Sequence, residues 1–179
     1  PDYPISVTPL FDADQNGGQL SFSASHFTQF DVEFPVTNER TGEKYATIQS
    51  AINAASPGDT INVAAGTYNE NGIEVTTPNL SIIGPGVGED DGGGEIARAY
   101  FVVNECSSFP SAAFHLHADG ITLQGFDIDG NGCTHAVHVG DLSEIQVNGV
   151  TVSDNVIRGG TYGATLSWGS TDDINSPNV

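Results

Sequence analysis

The feature that most constrains this fold is a series of short apolar segments that occupies the chain after Gly58. Gly, Asn or Asp separates each segment from the next, and the segments are too short for helices, so they predict short β-strands. No Asn-Gly or Asp-Gly pair joins two of them as a two-residue hairpin, so long hairpins are not expected. The predicted strands are residues 60–63, 73–75, 80–83, 100–103, 113–117, 121–123, 126–128, 137–139, 145–147, 150–152, 156–157 and 164–168.

The same part of the chain contains an internal repeat. Residues 121–130 (ITLQGFDIDG) match residues 150–159 (VTVSDNVIRG), and residues 80–86 (LSIIGPG) are a weaker copy. Spaced copies of short strands are typical of solenoids, in which each coil buries its apolar face only by stacking on its neighbours.

A single helix is predicted immediately before these strands, over residues 47–55 (TIQSAINAA). Its apolar residues recur at the spacing that places them on one face, with Thr47 as the N-cap. Pro57 and Gly58 then end the helix. The apolar face consists of Ile48, Ala51, Ile52 and Ala55.

Residues 1–44 have a different pattern and are predicted to form an N-terminal β arm. Residues 3–10 (YPISVTPL) favour an extended segment, which two prolines confine to an edge position. Residues 19–25 and 29–36 alternate apolar and polar side chains, as half-buried strands do. A polar connector at 38–44 then leads to the second predicted domain, residues 45–179.

The second domain resembles a known family. Residues 45–72 (YATIQSAINAASPGDTINVAAGTYNENG) resemble the opening of right-handed parallel β-helix proteins of the pectin lyase-like superfamily. Residues 118–130 (ADGITLQGFDIDG) are similar to their later coils. The resemblance implies an all-β fold: a small right-handed parallel β-helix of about three to four three-sided coils with an N-terminal capping α-helix.

The enzyme motifs of that superfamily are absent from this sequence. Residues 66–70 (GTYNE) fit the Gly-x-Tyr-x-Glu element of pectin methylesterases, which we expect to shape a turn. Neither the later catalytic aspartate motifs of those enzymes nor the Asn-Thr-Asp and Arg-Ile-Lys elements of polygalacturonases are present. We therefore predict no catalytic residues, and keep a polysaccharide-active enzyme or sugar-binding spike as the alternative.

The net charge excludes several partners. Four Lys and Arg residues face 23 Asp and Glu residues, which gives a formal charge of −19. Such a chain cannot neutralise nucleic-acid phosphates, and anionic membranes repel it. No run approaches the ~20 apolar residues of a membrane span. The charge also weakens the expectation of an enzyme for polyuronates, which are themselves anionic.

Two sets of residues could hold a metal ion. Residues 12–17 (DADQNG) fit the first half of a calcium loop, with Asp12, Asp14 and Asn16 as oxygen ligands, but the usual Glu at position twelve is absent. The alternative is a solvated turn. His115 and His138 lie at equivalent positions of strands 23 residues apart, so a transition-metal site or a polar ladder on a solvated face is expected there.

Other residues indicate a secreted protein. Cys106 and Cys133 are 27 residues apart, about one coil, so we expect a disulfide, with two free thiols as the alternative. Asn79 begins an N-glycosylation sequon, and the chain contains no Met, which suggests a removed leader. Asp127 and Asp129 are expected on the outer face, in a solvated turn or a weak cation site.

The sequence predicts no strand or helix over residues 169–179 (GSTDDINSPNV), so the last coil is expected to be open. We therefore expect an extracellular structural subunit that forms a homo-oligomeric filament or surface array. Coils would stack end to end, or the N-terminal segment would add as a strand to a neighbour. A calcium-dependent adhesin module is a further alternative, and carbohydrate is an alternative partner.

Overall fold

The computed structural model describes residues 34–86, 98–107, 111–140 and 147–166, and the backbone of 173–175. The chain divides into two compact units, residues 1–32 and residues 33–179. All described residues belong to the second unit. The predicted extended segment 3–10 and strand 19–25 lie outside them, and so does Trp168.

The described residues form one helix and fifteen strands. The helix α1 covers Ile48–Ala54. The first eight strands are β1 (Val36–Asn38), β2 (Lys44–Tyr45), β3 (Thr60–Val63), β4 (Gly66–Glu70), β5 (Ile73–Val75), β6 (Ser81–Ile83), β7 (Ala99–Val103) and β8 (Ala112–Leu116). The others are β9 (Thr122–Gln124), β10 (Phe126–Asp129), β11 (His135–Val139), β12 (Thr151–Ser153), β13 (Val156–Arg158), β14 (Tyr162–Leu166) and β15 (Asp173–Asn175).

These strands form three separate sheets, and successive strands from β3 onward visit them in fixed rotation. Sheet 1 has the order β15-β12-β9-β6-β3-β1-β2, sheet 2 the order β13-β10-β7-β4, and sheet 3 the order β14-β11-β8-β5. All pairs are parallel except those that β1 makes with β2 and β3. The prediction of an all-β protein with parallel strands is confirmed.

The strand register follows the internal repeat. Ser81 pairs with Thr122, and Thr122 pairs with Thr151, so the three copies stack in sheet 1. Asp127 pairs with Val156 in sheet 2, as the alignment of residues 121–130 with 150–159 predicts. The repeated sequence therefore corresponds to repeated positions in the sheets.

The core consists of the inward-facing residues of all three sheets. Phe101, Phe114 and Phe126 are fully buried, and their rings lie 4.7 Å and 5.9 Å apart in sequence order. Aromatic pairs at such distances add to the free energy of burial. Each strand is short and contributes only one to three inward side chains. These side chains stack on those at equivalent positions of the neighbouring strands, so the core is continuous along each sheet.

Helix α1 forms where the sequence predicts it. The Thr47 side chain accepts a hydrogen bond from the Ser50 backbone N–H, which satisfies one of the unpaired donors at the helix start. Ile48, Ala51 and Ile52 are buried, and the helix packs on β1, β2, β3 and β5. The predicted helix and its N-cap are confirmed.

Two segments differ from the sequence predictions. Residues 66–70 form strand β4 rather than a turn, because the segment pairs in register with β7 and buries Tyr68. Residues 173–175 form strand β15, where no strand was expected. Ile174 is their one apolar residue, so the sequence pattern did not predict a strand, and it is the backbone pairing with β12 that makes one. Of the predicted strand 145–147 only Val147 is described, and it is not in a strand.

Candidate functional site

Four of the five histidines lie together on the outer side of sheet 3. His115 and His138 are register partners on β8 and β11, as the 23-residue spacing predicts. The same row continues to Glu74 on β5 and to Thr165 on β14. We call His115, His117, His135 and His138 the histidine ladder.

The rings of the ladder form a continuous series of contacts. His117 stacks on His115 with a centroid distance of 5.1 Å, and His115 contacts His138 at 5.5 Å. His138 contacts His135 at 4.8 Å, and His135 stacks on Tyr162 at 5.5 Å. Parallel strands bring these residues together because equivalent positions of adjacent strands lie ~4.8 Å apart.

Thr165 connects two of these imidazoles. Its hydroxyl oxygen lies 2.9 Å from His135 Nδ1 and 3.0 Å from His138 Nδ1. A hydroxyl has one proton to donate and can accept two hydrogen bonds, so Thr165 donates to at most one of the two Nδ1 atoms. At least one of the two histidines therefore carries a proton on Nδ1.

His115 faces two different acceptors. Its Nε2 lies 2.8 Å from the Gly140 carbonyl oxygen, which assigns the proton of the neutral ring to Nε2. Its Nδ1 lies 2.9 Å from Glu74 Oε2, although the directions of the two groups are not those of a hydrogen bond. A second proton on the ring would therefore face a carboxylate.

The expectation of a solvated face is wrong for the centre of the ladder. His115 and His138 are each 3% exposed, because the stacked rings cover one another. Burial, and next the positive charge that His115 can carry, lower the pKa of His135. The ladder thus favours the neutral form of at least this ring.

A metal site remains a prediction. The ladder brings His115 and His138 together, but within the ranges described above no three His, Cys, Asp or Glu side chains are grouped as a metal ion would need. The predicted calcium ligands Asp12, Asp14 and Asn16 lie outside the described residues.

Asp127 lies in the predicted strand 126–128, which is part of strand β10, but the expectation of a solvated position is wrong, because Asp127 is 3% exposed. Its carboxylate pairs with Arg98, with Nη1 and Oδ2 3.3 Å apart, and with Arg158, whose Nε donates to Oδ1 at 3.0 Å. Register explains the change, because the arginines come from sequence segments about thirty residues away. Asp129 accepts from the Tyr100 hydroxyl at 3.3 Å.

Arg40, the remaining arginine of the chain, pairs with buried Asp59. Hydrogen bonds from Arg40, from the Ser56 backbone and from Asn38 hold the pKa of this carboxyl well below its usual range. All three arginines are therefore engaged with two buried aspartates.

Cys106 and Cys133 form a disulfide with a Cα–Cα distance of 5.5 Å, as their spacing predicts. Cys106 lies between β7 and β8, and Cys133 lies between β10 and β11. The disulfide therefore joins two loops that connect sheet 2 to sheet 3. Asn79 of the sequon is exposed in a turn with a φ of 57°, which leaves its side chain accessible for glycosylation.

The two ends of the sheets differ. At the first strands, Glu70 accepts from the backbone N–H groups of Ile48 and Gln49, so β4 satisfies the start of the helix. Burial raises the pKa of Glu70. At the last strands, sheet 1 continues to β15, while in the described residues sheets 2 and 3 end at β13 and β14.

The inward-facing residues of those last two strands are less covered than their register partners. Leu166 is 39% exposed, whereas Val139, Leu116 and Val75 in the same row are fully buried. Ala164 and Ile157 are likewise only partly buried. We call the surface of Ile157, Ala164 and Leu166 the open end.

None of the helical residues in the described part of the chain forms a segment of the length and apolarity that crossing a bilayer requires. Comparison with protein-family models, with curated proteins and with solved structures finds no match to this chain.

Proposed function

We propose that residues 45–179 form a right-handed parallel β-helix of the pectin lyase-like kind. The fixed rotation of successive strands among three sheets supports this fold, because each full rotation is one coil. The hand follows from the strong preference for right-handed crossovers between parallel strands of one sheet. Helix α1 then caps the first coil.

The proposed function is that of an extracellular structural subunit, which assembles into a filament or surface array through end-to-end stacking of coils. The open end is the observation that carries this proposal, because Leu166 is exposed and Ile157 and Ala164 are only partly buried in rows that are fully buried in earlier strands. Exposed apolar rows beside unpaired strand edges are a template for association. The disulfide fits an oxidising environment such as the outside of the cell.

The charge of −19 sets the conditions for assembly. Like charges on neighbouring copies repel one another, and this repulsion falls as salt shortens the Debye length to ~3 Å at 1 M. Assembly should therefore strengthen with ionic strength, opposite to the behaviour of a complex held by ion pairs.

Sedimentation velocity over a range of protein concentrations tests the proposal. The native chain should sediment faster as concentration and salt rise, and Leu166→Asp should reduce this increase by placing a carboxylate in the contact. Thr151→Asp is the matched control, because Thr151 is exposed on a neighbouring strand outside the open end. A chain that stays monomeric in high salt, or two variants that associate equally, would reject the end contact.

Polysaccharide binding is a second candidate, and the position of Tyr162 favours it. Tyr162 is 55% exposed and stacks on His135 at the edge of the ladder, so its ring is available to a sugar face. A glycan screen with native chain and Tyr162→Ala tests this candidate. Binding that survives the substitution would exclude the site.

Calcium dependence is proposed on the sequence pattern of Asp12, Asp14 and Asn16, as in an adhesin module. Calcium should raise the melting temperature of the native chain and leave that of Asp12→Ala/Asp14→Ala unchanged. Equal responses of the two proteins would exclude these ligands.

A further inference from the structure

Among the described residues, sheet 2 has an uncovered edge at the first coil, where the other two sheets are covered. In sheet 1, β1 and β2 extend the sheet beyond β3. In sheet 3, the Gln49 side chain takes the place of a further strand: its Nε2 donates to the Glu74 carbonyl at 3.0 Å, and its Oε1 accepts from the Glu74 N–H at 2.8 Å. In sheet 2, among the described residues, β4 has a strand partner on one side only, which is β7.

The open edge presents hydrogen-bonding groups of the backbone. The Gly66 N–H donates to Arg98 and the Glu70 carbonyl accepts from Asn104, both on the side of β7. Because residues of a parallel ladder alternate between sides, the backbone groups of Thr67 and Asn69 face away from β7. The Asn69 carbonyl accepts from Asn104 Nδ2 at 2.9 Å, which leaves the Thr67 N–H, the Thr67 carbonyl and the Asn69 N–H at the edge.

A groove of about 340 Å³ runs beside these groups, and we call it the β4 groove. Besides β4, its lining consists of Pro35, Ala46, Thr47 and Ala65, whose side chains are small. The acidic residue in its lining, Glu70, already accepts hydrogen bonds from the start of α1. The groove therefore offers room for an extended backbone and main-chain hydrogen bonds rather than a charged pocket.

We propose that the β4 groove accepts residues 5–8 of a second copy of the chain by β-strand addition. These residues (ISVT) lie between Pro4 and Pro9, so the run that can donate backbone hydrogen bonds is four residues long and suits a five-residue edge strand. They carry no charge, as a contact between two copies of an acidic chain requires. This contact lies at the first coil and does not require the open end.

Amide hydrogen exchange on the full chain at low and high protein concentration tests the proposal. The amides of Thr67 and Asn69 should exchange about tenfold more slowly at high protein concentration than at low concentration, because strand addition gives them acceptors. The N–H groups of Ser6 and Val7 point to opposite sides of an extended segment, so Ser6→Pro/Val7→Pro removes one N–H from the side that faces β4. This double substitution should abolish the protection. Ser6→Ala/Val7→Thr keeps both N–H groups and should retain it.

Three results would overturn strand exchange: amides that stay unprotected at high concentration, protection that is equal at all concentrations, and protection that survives the double proline substitution. Equal protection at all concentrations would assign the groove to an occupant other than a second copy. Leu166→Asp should leave the protection of Thr67 and Asn69 unchanged, so a failure of the end contact is distinguishable from a failure of this one.

Discussion

The first and last strands of the sheets differ in how far their edges are covered by other parts of the chain. Every parallel sheet has two edges, and at the first strands β1, β2 and the Gln49 amide cover those of sheets 1 and 3. Among the last described strands, only sheet 1 gains a further strand, and Leu166 in sheet 3 is exposed where Leu116 is buried. The difference shows that stacking, and not the apolar sequence alone, buries a row.

The largest expected effect is the difference in the free energy of unfolding between alanine variants of Leu116 and Leu166, which lie in the same row of sheet 3. Leu116→Ala should lower the free energy of unfolding by about 2–5 kcal/mol, because it leaves a cavity in a fully buried row. Leu166→Ala in the unassociated chain should cost roughly 1 kcal/mol, because the side chain is already partly in water. Urea denaturation of both variants at low concentration measures the difference. Equal losses would show that Leu166 is as well covered as Leu116.

Asn155, between β12 and β13, holds this segment to the strands that precede it in sheets 1 and 2. It is fully buried, its Oδ1 accepts from the Phe126 N–H, and its Nδ2 donates to the Leu123 carbonyl, each at 2.9 Å. Asn155→Ala should cost about 2–3 kcal/mol, because both backbone groups lose a partner in a buried place. Asn131→Ala, at an exposed position, is the control in the same denaturation assay. A cost as small as that of the control would mean that water replaces the amide.

A substitution of Gln49 tests whether its side-chain amide stabilises the edge of β5. Gln49→Ala removes both hydrogen bonds to the edge of β5 and should cost about 1–2 kcal/mol. Asn53, one turn later on the exposed side of α1, accepts from Gln49 Nε2 at 2.9 Å. Asn53→Ala removes that bond but keeps both bonds to Glu74, so it should lower the free energy of unfolding by less than Gln49→Ala. If the two variants unfold at the same urea concentration, the side-chain amide does not stabilise this edge.

The smallest effect should be the pH dependence due to His135. Its pKa is lowered in the folded state, so protonation favours the unfolded chain. This part of the stability is complete above the unfolded pKa of about 6.5 and is lost as pH falls through the folded pKa. Melting temperatures from pH 8 to pH 5 should fall less for His135→Gln than for the native chain. The native chain is the reference, and an equal pH dependence of the melting temperature for His135→Gln and the native chain would contradict the assignment.

Several features could be predicted from the sequence because local rules determine them. The apolar spacing and Thr47 determine the helix, and strand alternation with a 23-residue spacing determines that His115 and His138 are neighbours. The disulfide follows from similar spacing.

Other features depend on residues that arrive from distant parts of the chain. Strand β4 has one apolar residue, Tyr68, and is a strand because β7 pairs with it. The burial of Asp127 depends on Arg98 and Arg158, and the burial of His115 depends on rings from two strands. No local pattern encodes these contacts, so the sequence predicted solvated side chains there.

Electron microscopy of the native chain at high ionic strength tests the central claim most directly, that the open end is a contact between copies. The structure predicts end-to-end particles or filaments that become rarer with Leu166→Asp and not with Thr151→Asp. Single, separate particles at all concentrations and salt conditions would contradict the claim.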